Sequence, residues 1–422
     1  MENGAYEQFR EGVGLGSAAA FWPQEAIAFA DRALLVTGHG NVGFVYTDEG
    51  VVMIDTGLPQ VFGEHAVQEL RRFTEAPIRA VIYTHGHLDH AFNLGPVLAD
   101  AEENGYARPQ VIANRRVLDR FARYGRLRDH TTYINRICFG TPPDAVVVPD
   151  FFYPDTLIEA GMSFQMGDLT VELRTGIGET DDAVWVWIPE RRVLFTGDFL
   201  LWAFPNIGNP FKVQRFAEGW AQALEEMAAL YPAAAGPGHG PPIVGAEAVR
   251  VHLLDTARAL RMLDEEVVRR INAAQTFEQI VAEVTLPPGL AEQIYLAPTF
   301  GCPTFTVHAI LRQYAGWYDY NPSHLHPART SEVAAEVVAL AGGADALLDR
   351  ACALRAENPQ LALHLVDYCV DGAQGEPQQE ALALKADLLQ ARAAEMESFI
   401  SYNILNLGAR AIRDQLEEET PE

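Results

Sequence analysis

Three histidines and an aspartate fall within six positions in Thr84-His85-Gly86-His87-Leu88-Asp89-His90, directly after the apolar run Ala80-Val81-Ile82-Tyr83. A short apolar run of this kind reads as a buried strand. Ionisable side chains crowded at its end are costly unless something compensates them. A metal ion is the compensation that suits imidazole and carboxylate donors. Side chains alternate along an extended segment, so His85 and His87 point one way while Asp89 and His90 serve the other. One metal takes about four ligands, so this cluster cannot complete two sites alone. Any fold for this chain must bring further donors to the end of this strand.

Three later residues are candidates. Glu179 lies in Thr175-Gly176-Ile177-Gly178-Glu179-Thr180, Asp198 in Phe195-Thr196-Gly197-Asp198 and His239 in Gly236-Pro237-Gly238-His239-Gly240. Each is preceded by a glycine, which permits close backbone approach. Asp55 follows the strand Val51–Ile54 and is expected to fix a ligand from behind. His39 and Asn41, in the turn Gly38-His39-Gly40-Asn41, are candidates for substrate contact. Trp202, Phe204 and Phe199 read either as an apolar substrate wall or as ordinary core. His65, His130, His252 and His364 stand alone and are read as structural hydrogen-bonding residues.

The chain has 422 residues, 31 basic and 57 acidic, with a net charge of −26. Its length suggests a large domain and a second one. The charge argues against a nucleic-acid surface, where phosphate neutralisation dominates affinity, and against a basic membrane patch. A small anionic substrate stays open, because bound cations reverse the local field. Cys138, Cys302, Cys352 and Cys369 form no paired motif and read as buried free thiols. Met1 to Gly16 carries no leader pattern, and no apolar run is long enough to span a bilayer. A cytoplasmic protein is expected.

Strands are predicted at residues 33–36, 44–46, 51–54, 77–84, 110–113, 146–148, 169–174, 183–188 and 193–195, with helices at 61–73 and 118–133. This mixture indicates an α/β domain with two sheet halves up to about residue 250. Arg120, Arg123, Arg126 and Arg128 of the second helix read as a solvated face. Helices follow at 247–274 and 305–317, and the chain beyond Pro327 is helical at 331–340, 344–356, 359–370 and 376–395. Paired amphipathic helices of this kind resemble a repeat module, and a partner subunit is expected against them. Leu416 to Glu422 reads as a frayed tail.

Taken together, Ile54-Asp55-Thr56-Gly57, the His85 to His90 motif, Thr196-Gly197-Asp198 and Gly236-Pro237-Gly238-His239-Gly240 resemble the metallo-β-lactamase superfamily. Many hydrolases of that superfamily carry a histidine where Glu179 stands. A glutamate there is similar to the alkylsulfatase branch, the class III sulfatases. Tyr314 to Pro322, Ala341 to Asp345 and Ser398 to Arg410 also resemble that branch, the last two its dimerisation domain. The resemblance implies an αββα sandwich over 1–250, a helical connecting segment packed on it over 251–325, and an all-α dimerisation domain over 326–422. It implies a homodimer without the branch's sterol-carrier-like C-terminal domain.

The resemblance also implies a ligand set. His85, His87 and Glu179 hold one metal, Asp89, His90 and His239 a second, and Asp198 bridges them. The cofactors are two divalent ions, zinc first, with manganese or iron as alternatives because the three carboxylates make the site harder. A bridging hydroxide would attack an ester-like substrate, an anion with an apolar tail, with Asp89 orienting the nucleophile. Alkyl sulfates are the leading substrates, with lactones, thioesters and phosphoesters as alternatives and a non-catalytic dimeric metal-binding protein as a further one. The chain departs from the branch in the anion-binding segment. Pro205 stands in place of a histidine, before Asn206. An arginine pair becomes Phe211-Lys212-Val213-Gln214-Arg215, and a further run of the branch, Arg-Gly-Tyr-Tyr-Gly-x-x-Ser-His, becomes Pro298 to Phe305. Asn206, Lys212 and Arg215 are the expected substrate contacts, although Lys lacks the bidentate fork of Arg.

Overall fold

The structure is a computed structural model that describes residues 24–140 and 148–418. Seven strands form the first sheet in sequential order: β1 (Ile27–Ala30), β2 (Ala33–Val36), β3 (Val42–Tyr46), β4 (Val51–Ile54), β5 (Ile78–Ile82), β6 (Gln110–Asn114) and β7 (Thr156–Ile158). The second sheet has six strands in the order β13-β12-β11-β10-β9-β8. These are β8 (Gly161–Met166), β9 (Leu169–Gly176), β10 (Ala183–Ile188), β11 (Val193–Leu201), β12 (Ala234–His239) and β13 (Ile243–Val244).

The alternation of side chains builds the layers. In β4, Val52 and Ile54 face the second sheet, while Val51 and Met53 face helices. In β10, Val184, Val186 and Ile188 enter the core between the sheets. Its Ala183, Trp185 and Trp187 meet helix Ala217–Ala229 and helix Ala246–Asn272 in a third core. Strands buried on both faces read as unbroken apolar runs, which is why β4, β10 and the Ala80–Ile82 part of β5 were legible. The result is an αββα sandwich.

Strand direction sets where the functional residues collect. β4 and β5 are parallel, as are β11 and β12, so their C-terminal ends share an edge with their partner's. Asp55 follows β4 and His85 follows β5; the Asp55 N–H donates to the Ile82 carbonyl at 2.8 Å. β12 was not predicted, because Ala234-Ala235-Gly236-Pro237-Gly238 lacks the β-branched residues that mark strands.

The described residues divide into two compact units, those within Met1–Thr132 and Val146–Trp317 and those within Tyr133–Ala145 and Tyr318–Glu422. In the second unit, helices Thr330–Ala341, Ala344–Leu354, Pro359–Gly372 and Glu376–Ala393 surround an apolar core that includes Leu348, Ala351, Val366 and Leu388. The helix predicted over 118–133 is two helices, Val117–Arg126 and Arg128–Phe139. The expected tail at Leu416 is helical as far as Glu418, in helix Phe399–Glu418. Residues 1–16, most of the strand predicted at 146–148 and the end of the tail lie outside the described residues. Among the described residues no helix is long and apolar enough to cross a membrane. None of the four cysteines is in a disulfide; Cys138 and Cys369 are buried, whereas Cys302 is half-buried and Cys352 exposed.

Candidate metal centre

The His85–His90 turn follows β5, and its backbone is fixed from three sides. Thr84 donates its N–H to Asp55 Oδ1 and its hydroxyl to Asp55 Oδ2, both at 2.6 Å. Gly86 donates its N–H to Asp182 Oδ2 at 2.9 Å. Thr56 donates its N–H to the His90 carbonyl at 2.8 Å. Asp55 adopts φ +61°, a strained conformation for a residue with a Cβ. Its side chain makes three contacts there, the third to His90 Nδ1 at 2.8 Å.

The second sheet supplies the rest. Gly197 takes φ +50° within β11, and a Cβ there would lie 2.6 Å from Thr84 Cβ. The kink brings Asp198 against the His85–His90 turn. His239 ends β12, and Asn41 pins its loop by donating Nδ2 to the carbonyls of Pro237 and Gly240 at 2.8 and 2.7 Å. Glu179 lies in the β9–β10 connection, where Asn206 Nδ2 donates to its Oε1 at 2.9 Å and Arg215 forms an ion pair with the same oxygen.

These residues form two groups of donors. His85, His87, Glu179 and Asp198 present ligand atoms within 4.8 Å of one another, as do Asp89, His90 and His239. Asp198 reaches both groups, with Oδ1 at 3.3 Å from His90 and 3.4 Å from His239 and Oδ2 at 3.7 Å from His85. His85, His90, Glu179 and Asp198 are buried, whereas His87, Asp89 and His239 are half-open at the mouth.

The electrostatics describe a place shaped for cations. Burial pushes the Asp198 carboxyl up to about 6, and burial pulls His87 down to about 4. Burial also opposes charge on His90. Even so, Asp198, Asp89 and Asp55 hold its imidazole well above the usual value, so a proton there answers the surrounding carboxylates. His90 Nε2 and Asp198 Oδ1 are buried with no hydrogen-bond partner, although they face each other at 3.3 Å. Such orphaned donor atoms on imidazole and carboxylate fit a divalent metal.

The other expected residues fall as follows. Asn206 and Arg215 reach Glu179, and the Arg215 side chain is only 3% exposed. Phe199 and Phe204 belong to the core of the second sheet, and Trp202 Nε1 donates to the Pro241 carbonyl at 2.6 Å. His39 lies 3.7 Å from Asp89 and its ring meets that of His239, at the mouth. His252 is structural, bonded to the Leu201 carbonyl at 3.0 Å. Arg120 corrects the reading of its helix as solvated. It is buried, its Nε donates to both oxygens of Asp182 at 2.9 and 3.0 Å, and it pairs with Asp181. Asp182 was not singled out in the sequence. The one signal was a doubled aspartate directly before an apolar strand.

Residues 35–239 match the metallo-beta-lactamase superfamily, and residues 276–415 match the alkyl sulfatase dimerisation family. A linear primary-alkylsulfatase from Pseudomonas sp. is 26% identical over 321 residues, which are 71% of this chain and 60% of that protein. An (R)-specific secondary-alkylsulfatase from Pseudomonas sp. is 25% identical over 400 residues, covering 88% of this chain and 60% of the relative. The chain thus spans about 60% of the length of these curated relatives. The solved structure of a stereoselective inverting sec-alkylsulfatase from Pseudomonas sp. superposes with a TM-score of 0.80 at 23% identity, over 92% of this chain and 65% of that one. This chain therefore joins a metallo-beta-lactamase superfamily domain to an alkyl sulfatase dimerisation domain.

Proposed function

We propose that the chain is a dinuclear metal-dependent hydrolase of ester-like substrates, with alkyl sulfate esters first. The observation that carries this reading is the pair of donor groups meeting at Asp198. His85, His87 and Glu179 would hold one ion and Asp89, His90 and His239 the other, with Asp198 within reach of both groups. Two divalent ions, zinc first, supply a water acidified towards a pKa of ~7 and positive charge for the developing anion.

The chain's own residues do the rest. Asp89 is half-open at the mouth and orients the attacking water. Asp55 fixes the ring of His90 through Nδ1. Lys212 is the proposed contact for the substrate anion. Asn206 and Arg215, expected as anion contacts, act instead through Glu179. Pro205 can donate no proton to a leaving group, which favours leaving groups that depart unprotonated. The altered segment from Pro205 to Arg215 keeps lactones, thioesters and phosphoesters as a second substrate class. The helical unit leaves Leu340 86% exposed, with Val333 and Leu361 also exposed, which supports a second copy as its partner.

Two measurements test the reading. Metal analysis of purified protein is expected to give two divalent ions per chain; less than one would refute a metal-dependent enzyme. A screen of alkyl sulfates, lactones, thioesters and phosphotriesters, with His87→Ala as control, assigns the substrate. Cleavage of a lactone with a long-chain alkyl sulfate untouched would end the sulfatase reading.

A further inference from the structure

We propose that the two halves of the centre load in a fixed order: the Asp89–His90–His239 group binds its cation first, and the His85–His87–Glu179 group binds the second more weakly. The inference rests on the dinuclear reading above and goes beyond it.

Asp198 faces both groups and drops out of the comparison. The difference lies in what stands behind each remaining ligand. Behind His90 is a second carboxylate, Asp55, at 2.8 Å from Nδ1. The other partners of Asp55 are the Thr84 N–H and hydroxyl, which are neutral. This group therefore sees two formal negative charges, on Asp89 and Asp55.

Behind Glu179 stands a cation. Arg215 and the Asn206 amide both occupy Oε1, leaving Oε2 to face His87 at 3.3 Å and His85 at 3.8 Å. Among the described residues, the one ion pair found for Arg215 is with Glu179. Its buried charge therefore cancels that carboxylate, and the formal sum of this group is zero. Arg120 does not alter the balance, since it and Arg116 together pair with Asp182 and Asp181 and the four charges cancel. The histidines differ in the same sense. His85 Nδ1 faces the neutral Thr84 hydroxyl at 3.0 Å, whereas His90 Nδ1 faces a carboxylate. A carboxylate behind an imidazole raises its basicity as a ligand, and such partners are typically worth 10–100-fold in metal affinity. A gap of at least about tenfold is expected between the two steps. When metal is scarce, the chain then carries one ion, in the Asp89–His90–His239 group, and the second position exchanges with the medium.

The test is titration of metal-free full-length protein with Co²⁺, read by visible absorption and calorimetry. Two equivalents are expected, the second at least about tenfold weaker. His239→Ala should abolish the tight step and His87→Ala the weak one. Asp55→Asn, which removes the charge behind His90, should weaken the tight step more than the weak one, since Asp55 also holds Thr84 ahead of His85. Equal affinities, or loss of the tight step in His87→Ala, would overturn the order while leaving the dinuclear reading standing. Saturation at one equivalent in the parent protein would overturn both. Should Asp55→Asn fail to fold, Arg215→Gln reports on the same balance from the other side. It should change the weak step alone, and a change confined to the tight step would contradict the inference.

Discussion

The two sheets deliver their shares of the centre by different means. The first gives His85, His87, Asp89 and His90 from one turn, pinned through Thr84, Gly86 and the carbonyl of His90. The second gives Glu179 from the β9–β10 connection, Asp198 from the kink within β11 and His239 from the end of β12, each held by its own neighbour. Glu179 has Arg215 and Asn206, the His239 loop has Asn41, and Asp198 lies against Gly238. A shared turn is fixed once, so its ligands stand or fall together. Separate positions along the sheet are fixed one at a time, so each can be lost alone. Precision at such a site depends on these supporting contacts as much as on the ligands.

Asp198 is the sharpest place to break that contrast, because it is the second-sheet residue that touches both groups. Asp198→Ala is expected to lower turnover of the best substrate by about 10³-fold or more, since metal centres supply several kcal/mol of transition-state stabilisation. Bound metal should fall towards one ion per chain or below. Retention of two ions with near-normal turnover would show that the groups do not depend on a shared ligand.

The shared turn is tested through its anchor. Asp182→Ala leaves Arg120 buried without its bidentate partner, and breaking a buried pair typically costs about 3 kcal/mol or more. Chemical denaturation of the metal-free protein should show that loss, and His85 and His87 should lose metal together. If only one of these histidines were affected, the turn would not be acting as a unit.

The same contrast explains what could be read from the sequence. The His85–His90 turn was legible because its donors are adjacent and follow an apolar run. Glu179, Asp198 and His239 were visible as single candidates, but only the family resemblance joined them, since strand pairing over 60 residues of chain leaves no local mark. The paired helices after Pro327 were legible from composition. β1, β7, β8 and β12 were not, because short strands and Gly-Pro-Gly runs carry little pattern. Arg120 was misread for a related reason. A helix rich in arginine looks solvated, and nothing local shows that one arginine meets a buried aspartate 62 residues away.

Backbone approach gives a smaller test of the second sheet. A Cβ on Gly238 would lie 2.0 Å from Asp198 Oδ1 and 2.7 Å from the Gly197 carbonyl carbon. Gly238→Ala is expected to cost about 2 kcal/mol, as overpacking of a closed site does, and to weaken metal binding by displacing Asp198. Gly95→Ala is the control: nothing lies within 4 Å of its added Cβ, and Gly95 sits in helix Gly95–Glu103. It should be neutral or slightly stabilising in the same denaturation assay. Equal losses in the two variants would refute a special role for the approach at Gly238.

The smallest effect concerns the far end of β11, where His252 Nε2 bonds the Leu201 carbonyl at 3.0 Å, three residues beyond Asp198. Burial among Trp202 and Tyr295 pulls this histidine from 6.5 down to about 3. The unfolded chain therefore binds a proton in that window which the folded chain refuses. The contribution of a neutral His252 is complete above about 6.5 and drains as pH falls towards about 3, at roughly 1.4 kcal/mol per pH unit. His252→Gln keeps an N–H donor for Leu201 and removes the proton uptake. Denaturation of the metal-free variant at pH 7 and pH 5.5 should show an acid loss smaller by about 1–2 kcal/mol than in the parent. An identical pH slope in the two proteins would mean that the folded state accepts the proton after all, and that the end of β11 opens more readily than its burial implies.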